Sequence, residues 1–287
     1  MRFCVDYNKN TNQKAGVNDA LLTQVDEINI DYDPNDFTLI EFLEKYQEKQ
    51  INIFFYNETA KFAEKISQIQ RERPEFNIRI VLEYKSNVDY SKFGKFFFSN
   101  RVNNWEIFKC FVDLGVTDIY VTEQLGFELD KVAAVAHDNN VRVRVFPNVA
   151  QRCIDRTPAL KTFFIRPDDI RIYEKYIDVF DLYYWDEQKQ NQSVLFDIYA
   201  NDKKWFGKLN ELIIGFDNDL DGKYVIPRFA EKRVKCNREC LKGSNCQMCE
   251  EIEKLSKTLE EAGITVRFND FNKNKEEEDG KTEQVQN

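Results

Sequence analysis

The stretch Gly115-Val116-Thr117-Asp118-Ile119-Tyr120-Val121-Thr122, continued through Glu128–Ala136 to Val141-Arg142-Val143-Arg144-Val145-Phe146, decides the fold. Its two ends are short runs of β-branched and aromatic residues, while its middle repeats apolar residues at three- and four-residue spacing. Strand, amphipathic helix and strand make a βαβ unit, and parallel strands need such a crossover. Working outward, the same alternation recurs. Strands are expected at Arg2–Asp6, Glu27–Asp31, Ile51–Tyr56, Ile78–Glu83, Lys95–Ser99, Asp118–Thr122, Val141–Phe146, Thr162–Ile165 and Asp181–Tyr184. Helices are expected at Phe37–Gln47, Glu58–Arg71, Trp105–Leu114, Glu128–Ala136, Asp168–Tyr176 and Val194–Leu212. Asp36 is an N-cap candidate, Gly115 a C-terminal stop, and Pro167-Asp168-Asp169 a helix start.

The pattern predicts an α/β fold: a (β/α)8 TIM-like barrel over residues 1–215, with nine strand candidates competing for eight places. Tyr84–Gly94 is too short and polar for a full crossover helix, so the unit there is read as degenerate, with Phe96–Phe98 still a barrel strand. Beyond residue 215 the composition changes. Residues 216–268 are expected to form a C-terminal four-cysteine cap, with a helix at Glu250–Ala262 ended by Gly263, and 269–287 a disordered tail.

Charge and composition exclude several classes. The 287 residues carry 41 Lys+Arg against 50 Asp+Glu, a net charge of −9. No apolar run approaches a membrane span, and Met1–Tyr7 lacks a basic stretch followed by an apolar one, so a cytoplasmic protein without membrane contact is expected. With one histidine, His137, a two-histidine metal site cannot be built within the chain. Neither GxGxxG nor GxxxxGK[ST] occurs, which argues against dinucleotide and P-loop sites. His137, at a helix end before a strand, is expected at the barrel bottom as a cap.

Cys236-x3-Cys240-x5-Cys246-x2-Cys249 is the most specific motif. Four thiols within fourteen positions of a reduced chain point to a soft metal, with Gly243-Ser244-Asn245 as the turn that folds the second pair onto the first. Ligand type leaves Zn2+ and a [4Fe–4S] cluster both open. The surrounding bases, Lys223, Arg228, Lys232, Arg233, Lys235, Arg238 and Lys242, would offset the anionic site or contact RNA. Cys110 is expected as a buried small hydrophobe; Cys153 is a lesser candidate for the site.

Barrel enzymes draw their chemistry from the C-terminal strand ends. Those ends offer Asp6 and Tyr7, Asp31 and Asp33, Tyr56 and Asn57, Glu83, Asn100 and Arg101, Glu123 and Gln124, Asn148 and Gln151, Arg166, and Trp185. From this rim Glu83 and Glu123 are chosen as general acid and base, Arg101 and Arg166 as anion anchors, and Asn148 as a pocket residue.

Val116–Asp118 with Ile119-Tyr120-Val121, Val141–Phe146 with Pro147-Asn148, and Phe164-Ile165-Arg166-Pro167-Asp168-Asp169-Ile170 through Tyr176-Ile177-Asp178-Val179 resemble the U32 peptidase-like family. The resemblance covers about Gly115–Trp185 plus the cysteines, which stand closer together here than in the cluster-bearing members. It implies a (β/α)8-type barrel; some members hold a [4Fe–4S] cluster and assist oxygen-independent hydroxylation of RNA bases or quinone precursors. Two functions are therefore carried. One is an enzyme or enzyme accessory with a Cys4 metal site and a small-molecule or RNA substrate. The other is a non-catalytic barrel, stapled by structural zinc, that binds a protein partner.

Overall fold

Most strands carry apolar residues on one face and polar ones on the other, the exception being the all-phenylalanine Phe96–Phe98, and this alternation sets which face turns inward. The computed structural model describes residues 1–8, 15–33, 38–55, 59–126, 128–150, 163–184, 190–205, 207–214 and 247–263. The strands are β1 (Phe3–Tyr7), β2 (Glu27–Asp31), β3 (Gln50–Phe55), β4 (Ile78–Leu82), β5 (Phe96–Phe98), β6 (Asp118–Tyr120), β7 (Arg142–Val145) and β8 (Val179–Leu182). They are all parallel, in the order β5-β4-β3-β2-β1-β8-β7-β6. The two ends of this order meet. Thr117 N donates to Phe96 O at 2.8 Å, Val102 N to Tyr120 O at 2.8 Å, and Val102 bridges Val121 in parallel, so the sheet curls into a nearly closed (β/α)8 barrel.

Ile28, Ile30, Ile51, Ile53, Ile78, Ile80, Val143, Val145, Phe180 and Leu182 form the buried outer stripe under the helices. The helices are α1 (Asp19–Gln24), α2 (Leu39–Lys45), α3 (Thr59–Glu72), α4 (Trp105–Asp113), α5 (Glu123–Gly126), α6 (Leu129–Asp138), α7 (Ile170–Tyr173), α8 (Gln192–Ala200) and α9 (Gln247–Glu261). Gly115, Gly263 and Pro167 act as read, and two asparagine caps join them. Asn104 and Asn191 cap α4 and α8 through their side chains, Gly115 turns the chain after α4 at φ +77°, and Gly263 does so after α9 at φ +78°. Pro167 opens a 3-10 turn that leads into α7. Between β4 and β5 only the 3-10 turn Tyr90–Lys92 replaces a crossover helix, so this unit is degenerate as expected.

Several expectations need correction. The surplus strand candidate is Thr162–Ile165, whose described part gives no barrel strand: Phe163, Phe164 and Ile165 are buried, but Ile165 N bonds Pro147 O and its carbonyl accepts from Tyr199 Oη at 2.8 Å, away from the sheet. The eighth place belongs to Val179–Leu182, two residues earlier than the Asp181–Tyr184 reading. The helix read as Val194–Leu212 stops at Ala200, where Asn201 bonds back to Asp197 and Asp202 takes φ +49°. Cys110 is exposed, because α4 buries Phe108 and Phe111 and position 110 rotates out. Asp36 lies outside the described residues. Of the expected C-terminal cap, α9 is described, and its Leu259 joins the barrel's core cluster. No helix among the described residues is long and apolar enough to cross a membrane.

Candidate functional site at the barrel mouth

The inward stripe is unusual for a barrel, whose interior is ordinarily filled by branched apolar side chains. Beside Phe54, Val81, Phe97 and Val179 it carries Cys4 and Asp6 on β1, Glu27, Asn29 and Asp31 on β2, Asn52 on β3, Arg79 on β4, Asp118 and Tyr120 on β6, Arg142 and Arg144 on β7, and Asp181 on β8. Near the N-terminal end the charges pair. Arg144, fully buried, reaches Glu27 at 2.6 Å, Asp118 at 3.2 Å and Asp181 at 3.2 Å; Arg142 bonds Glu27 at 2.5 Å and Asp118 at 2.6 Å; Arg79 stands 3.0 Å from Asp118. The Arg144 guanidinium also lies 5.1 and 5.3 Å from the Phe97 and Tyr120 ring centroids. Burial alone would raise the Glu27 carboxyl, but Arg144 and Arg142 outweigh it and hold it at about 2.

One layer higher, Asp181 accepts from Tyr120 Oη at 2.5 Å and from Asn29 Nδ2 at 3.2 Å. Asn29 Nδ2 also donates to Asp6 Oδ1 at 3.0 Å, and Asn29 Oδ1 accepts from Asn52 at 2.9 Å and from the Cys4 thiol at 3.1 Å. Burial, then the Asp181 carboxylate, push the Tyr120 phenol and the Cys4 thiol well above their ordinary values, so both remain protonated donors.

Above this layer the barrel opens into a cavity of about 240 Å3. Asp6, Asn29 and Asp31 line it on one side, Phe54, Tyr120, Phe146, Tyr183 and Tyr184 supply ring surface, and Gln192 reaches in from α8. Tyr120 and Phe146 stack at 4.8 Å with an interplanar angle of 6°, making one continuous wall. Half-buried Asp6 is the chemically distinctive group. Burial, then Asp181 and Asp31, raise its carboxyl to about 7, against the lowering effects of the Asn29 hydrogen bond and Arg144. Such a carboxyl exchanges a proton near neutral pH, as a general acid or base must.

The residues chosen from the sequence lie elsewhere. Glu83 is exposed beyond β4, and Glu123 begins α5, its side chain lying outside the described residues. Arg101 is exposed, with its guanidinium 4.9 Å from the Phe146 ring centroid, on the outer edge of the mouth. Asn148 is fully buried and ties two backbones together: its Nδ2 donates to Tyr183 O at 2.7 Å and its Oδ1 accepts from Tyr183 N at 3.1 Å. Arg166 is buried and bonds both oxygens of Asp169, at 2.8 and 2.9 Å, with Asp168 at 3.2 Å. None of the four whose side chains are described lines the cavity. His137 stands at the end of α6, 2.9 Å from Asp178, which precedes β8 at the barrel bottom. Cys153, Cys236, Cys240 and Cys246 lie outside the described residues, as does the side chain of Cys249 on α9; among the described residues no group of ligands could hold a metal ion.

Sequence reasoning placed Asp6 and Asp31 on the rim without singling them out, and it missed Asn29, Tyr120, Arg144 and Asp181. The available signal was a polar residue flanked by apolar ones inside a strand: Ile28-Asn29-Ile30, Ile51-Asn52-Ile53, Val143-Arg144-Val145 and Phe180-Asp181-Leu182. In a parallel sheet covered by helices on one face, that alternation means a polar barrel interior.

No protein-family model matches the chain, and no curated protein matches it either.

Proposed function

We propose that the protein is a barrel enzyme, or enzyme accessory, that binds a small molecule in the mouth and moves a proton through Asp6. The observation that carries this reading is a carboxyl raised to about 7 that lines an aromatic-walled cavity at the C-terminal end of the strands. Pockets with a few convergent polar groups and a perturbed carboxyl are where acid–base chemistry is found. Asn29 would orient Asp6 through its 3.0 Å hydrogen bond, while Tyr120 and Arg144 hold Asp181 as the second carboxyl that keeps Asp6 from ionising early. The aromatic lining would exclude water from the cavity around Asp6.

Two measurements test this together. In selectively 13C-labelled protein the Asp6 carboxyl is expected to titrate with a midpoint near 7, and crystals soaked in single-ring fragments are expected to show one seated against Asp6. A midpoint near the ordinary value of about 4, with fragments bound only elsewhere, overturns the reading.

A second reading rests on the spacing of Cys236, Cys240, Cys246 and Cys249 together with the U32 resemblance. It gives the C-terminal segment a metal, [4Fe–4S] or Zn2+, and gives the barrel a place in oxygen-independent hydroxylation or RNA modification. Its alternative is a scaffold stapled by zinc. Anaerobic purification with iron, zinc and sulfide analysis separates them. About four irons and four sulfides favour the redox role; about one zinc without colour favours the staple.

A further inference from the structure

The described lining residues of the mouth carry a consistent electrostatic sign. Asp6 and Asp31 both line it, Asp181 lies one layer below, and no lysine, arginine or histidine is among the described lining residues. Arg101 is not a lining residue: it is exposed, with its guanidinium against the ring of Phe146 and near enough to Tyr183 to pull that phenol down, a cation beside the mouth and not in it. The remaining surface is largely aromatic, from Phe54, Tyr120, Phe146 and Tyr183, and ring faces attract cations and disfavour anions. The whole chain adds the same bias, because a net charge of −9 concentrates cations around it. The cavity, at about 240 Å3, is smaller than the pockets of about 300 Å3 and above that hold drug-sized ligands.

From this arrangement we infer that the mouth selects a small organic cation, a protonated amine or N-heterocycle built on a single ring, over neutral and anionic molecules of the same shape. The inference rests on the acid–base reading of the mouth and names its substrate class. An anion would be brought against two carboxylates in a partly dehydrated site. A neutral ligand would bury Asp6 further and leave its charge unopposed. A cation instead offers Asp6 the charged partner that the described lining residues do not, because the interior guanidiniums below are shared among Glu27, Asp118 and Asp181. Affinity should then follow the ionisation of Asp6. The groups facing that carboxyl are Asn29 and Asp31 from β2, Asp181 and Tyr183 from β8 and its extension, Arg144 from β7, Tyr120 from β6, and Cys4 on its own strand.

The test uses three matched probes, benzylamine, benzyl alcohol and benzoate, titrated calorimetrically into the full chain, with amide NMR shifts locating the site. Benzylamine is expected to bind at the mouth, at least about tenfold tighter than benzoate, and to tighten about tenfold between about pH 6 and about pH 8 as Asp6 ionises. Asp6→Asn should flatten that pH dependence. If this variant does not fold, Asp31→Asn, expected to weaken benzylamine while sparing benzyl alcohol, and the wild-type pH profile carry the test. Benzoate or benzyl alcohol binding as tightly as benzylamine overturns the inference, as does the absence of benzylamine from the mouth at both pH values. The Asp6 carboxyl titration in the same samples separates the two ideas. A midpoint near 7 without cation preference sinks the substrate class alone, whereas a midpoint near 4 sinks the acid–base reading whatever binds.

Discussion

The lower and upper halves of the barrel interior are built from similar residue types and behave in opposite ways. Below, Glu27, Asp118 and Asp181 face Arg79, Arg142 and Arg144, three carboxylates against three guanidiniums. Above, Asp6 and Asp31 face phenyl and phenol rings, and no described lining residue carries a positive charge. The same side chain therefore acquires opposite character: the Glu27 carboxyl is held at about 2, the Asp6 carboxyl is raised to about 7. Burial is common to both, and the proximity of a cation decides the sign. The lower half is a structural plug, and the upper half keeps an ionisation poised for use.

That contrast can be broken most severely at Arg144. Arg144→Leu leaves Glu27, Asp118 and Asp181 buried around a missing charge, and the expected loss is about 3–5 kcal/mol in urea unfolding; a loss under about 1 kcal/mol would mean that the network is not what holds the interior. The same network predicts acid sensitivity. Glu27 has a folded value of about 2 against an ordinary 4.5, so its contribution is complete above about 4.5 and disappears as the pH falls towards 2. Acid titration of the wild type should show this decline.

Next in size is Tyr120→Phe, which removes the hydrogen bond to Asp181 while keeping the ring stacked on Phe146. A bond to a charged acceptor is worth about 1.5–3 kcal/mol, and thermal unfolding should register a loss of that order. Asp6→Asn should act in the other direction. Because its folded value is raised, Asp6 costs stability once the pH exceeds its ordinary value near 3.8, with the full cost present above about 7. The variant is expected to be more stable than wild type by about 1–2 kcal/mol near pH 8, with the gain shrinking to nothing below about pH 4. Equal stability at both pH values would show that Asp6 is not destabilised in the fold. The smallest effect is expected at Arg101→Ala, within about 0.5 kcal/mol, since its guanidinium is exposed on the rim.

The barrel was legible because its outer stripe and its helices share one requirement, the burial of apolar surface. Runs such as Ile51–Phe55 and Ile78–Leu82, with the amphipathic helix Thr59–Glu72 between them, read as βα units without reference to partners. Where that requirement was met outside the sheet, reading failed: Phe163-Phe164-Ile165 is as apolar as a strand and fully buried, yet it lies against α8. The site was less legible. Rim residues such as Glu83 and Arg166 were chosen for their chemistry, but a strand end says nothing of whether a side chain points into the mouth or, like Arg166, is bound by acids three residues along.

By itself, then, the sequence determined the alternation of strands and helices, the net charge, the cysteine spacing and the degenerate fourth crossover, all of which depend on neighbours along the chain. Only the tertiary structure decided that Asp6, Asn29, Tyr120 and Asp181 meet, because they come from β1, β2, β6 and β8, strands far apart along the chain that the pairing of β1 with both β2 and β8 and the curl of the sheet bring together. It also decided which carboxyl is neutralised and which is raised, since a pKa answers to charges a few ångströms away in space and not to those adjacent in sequence.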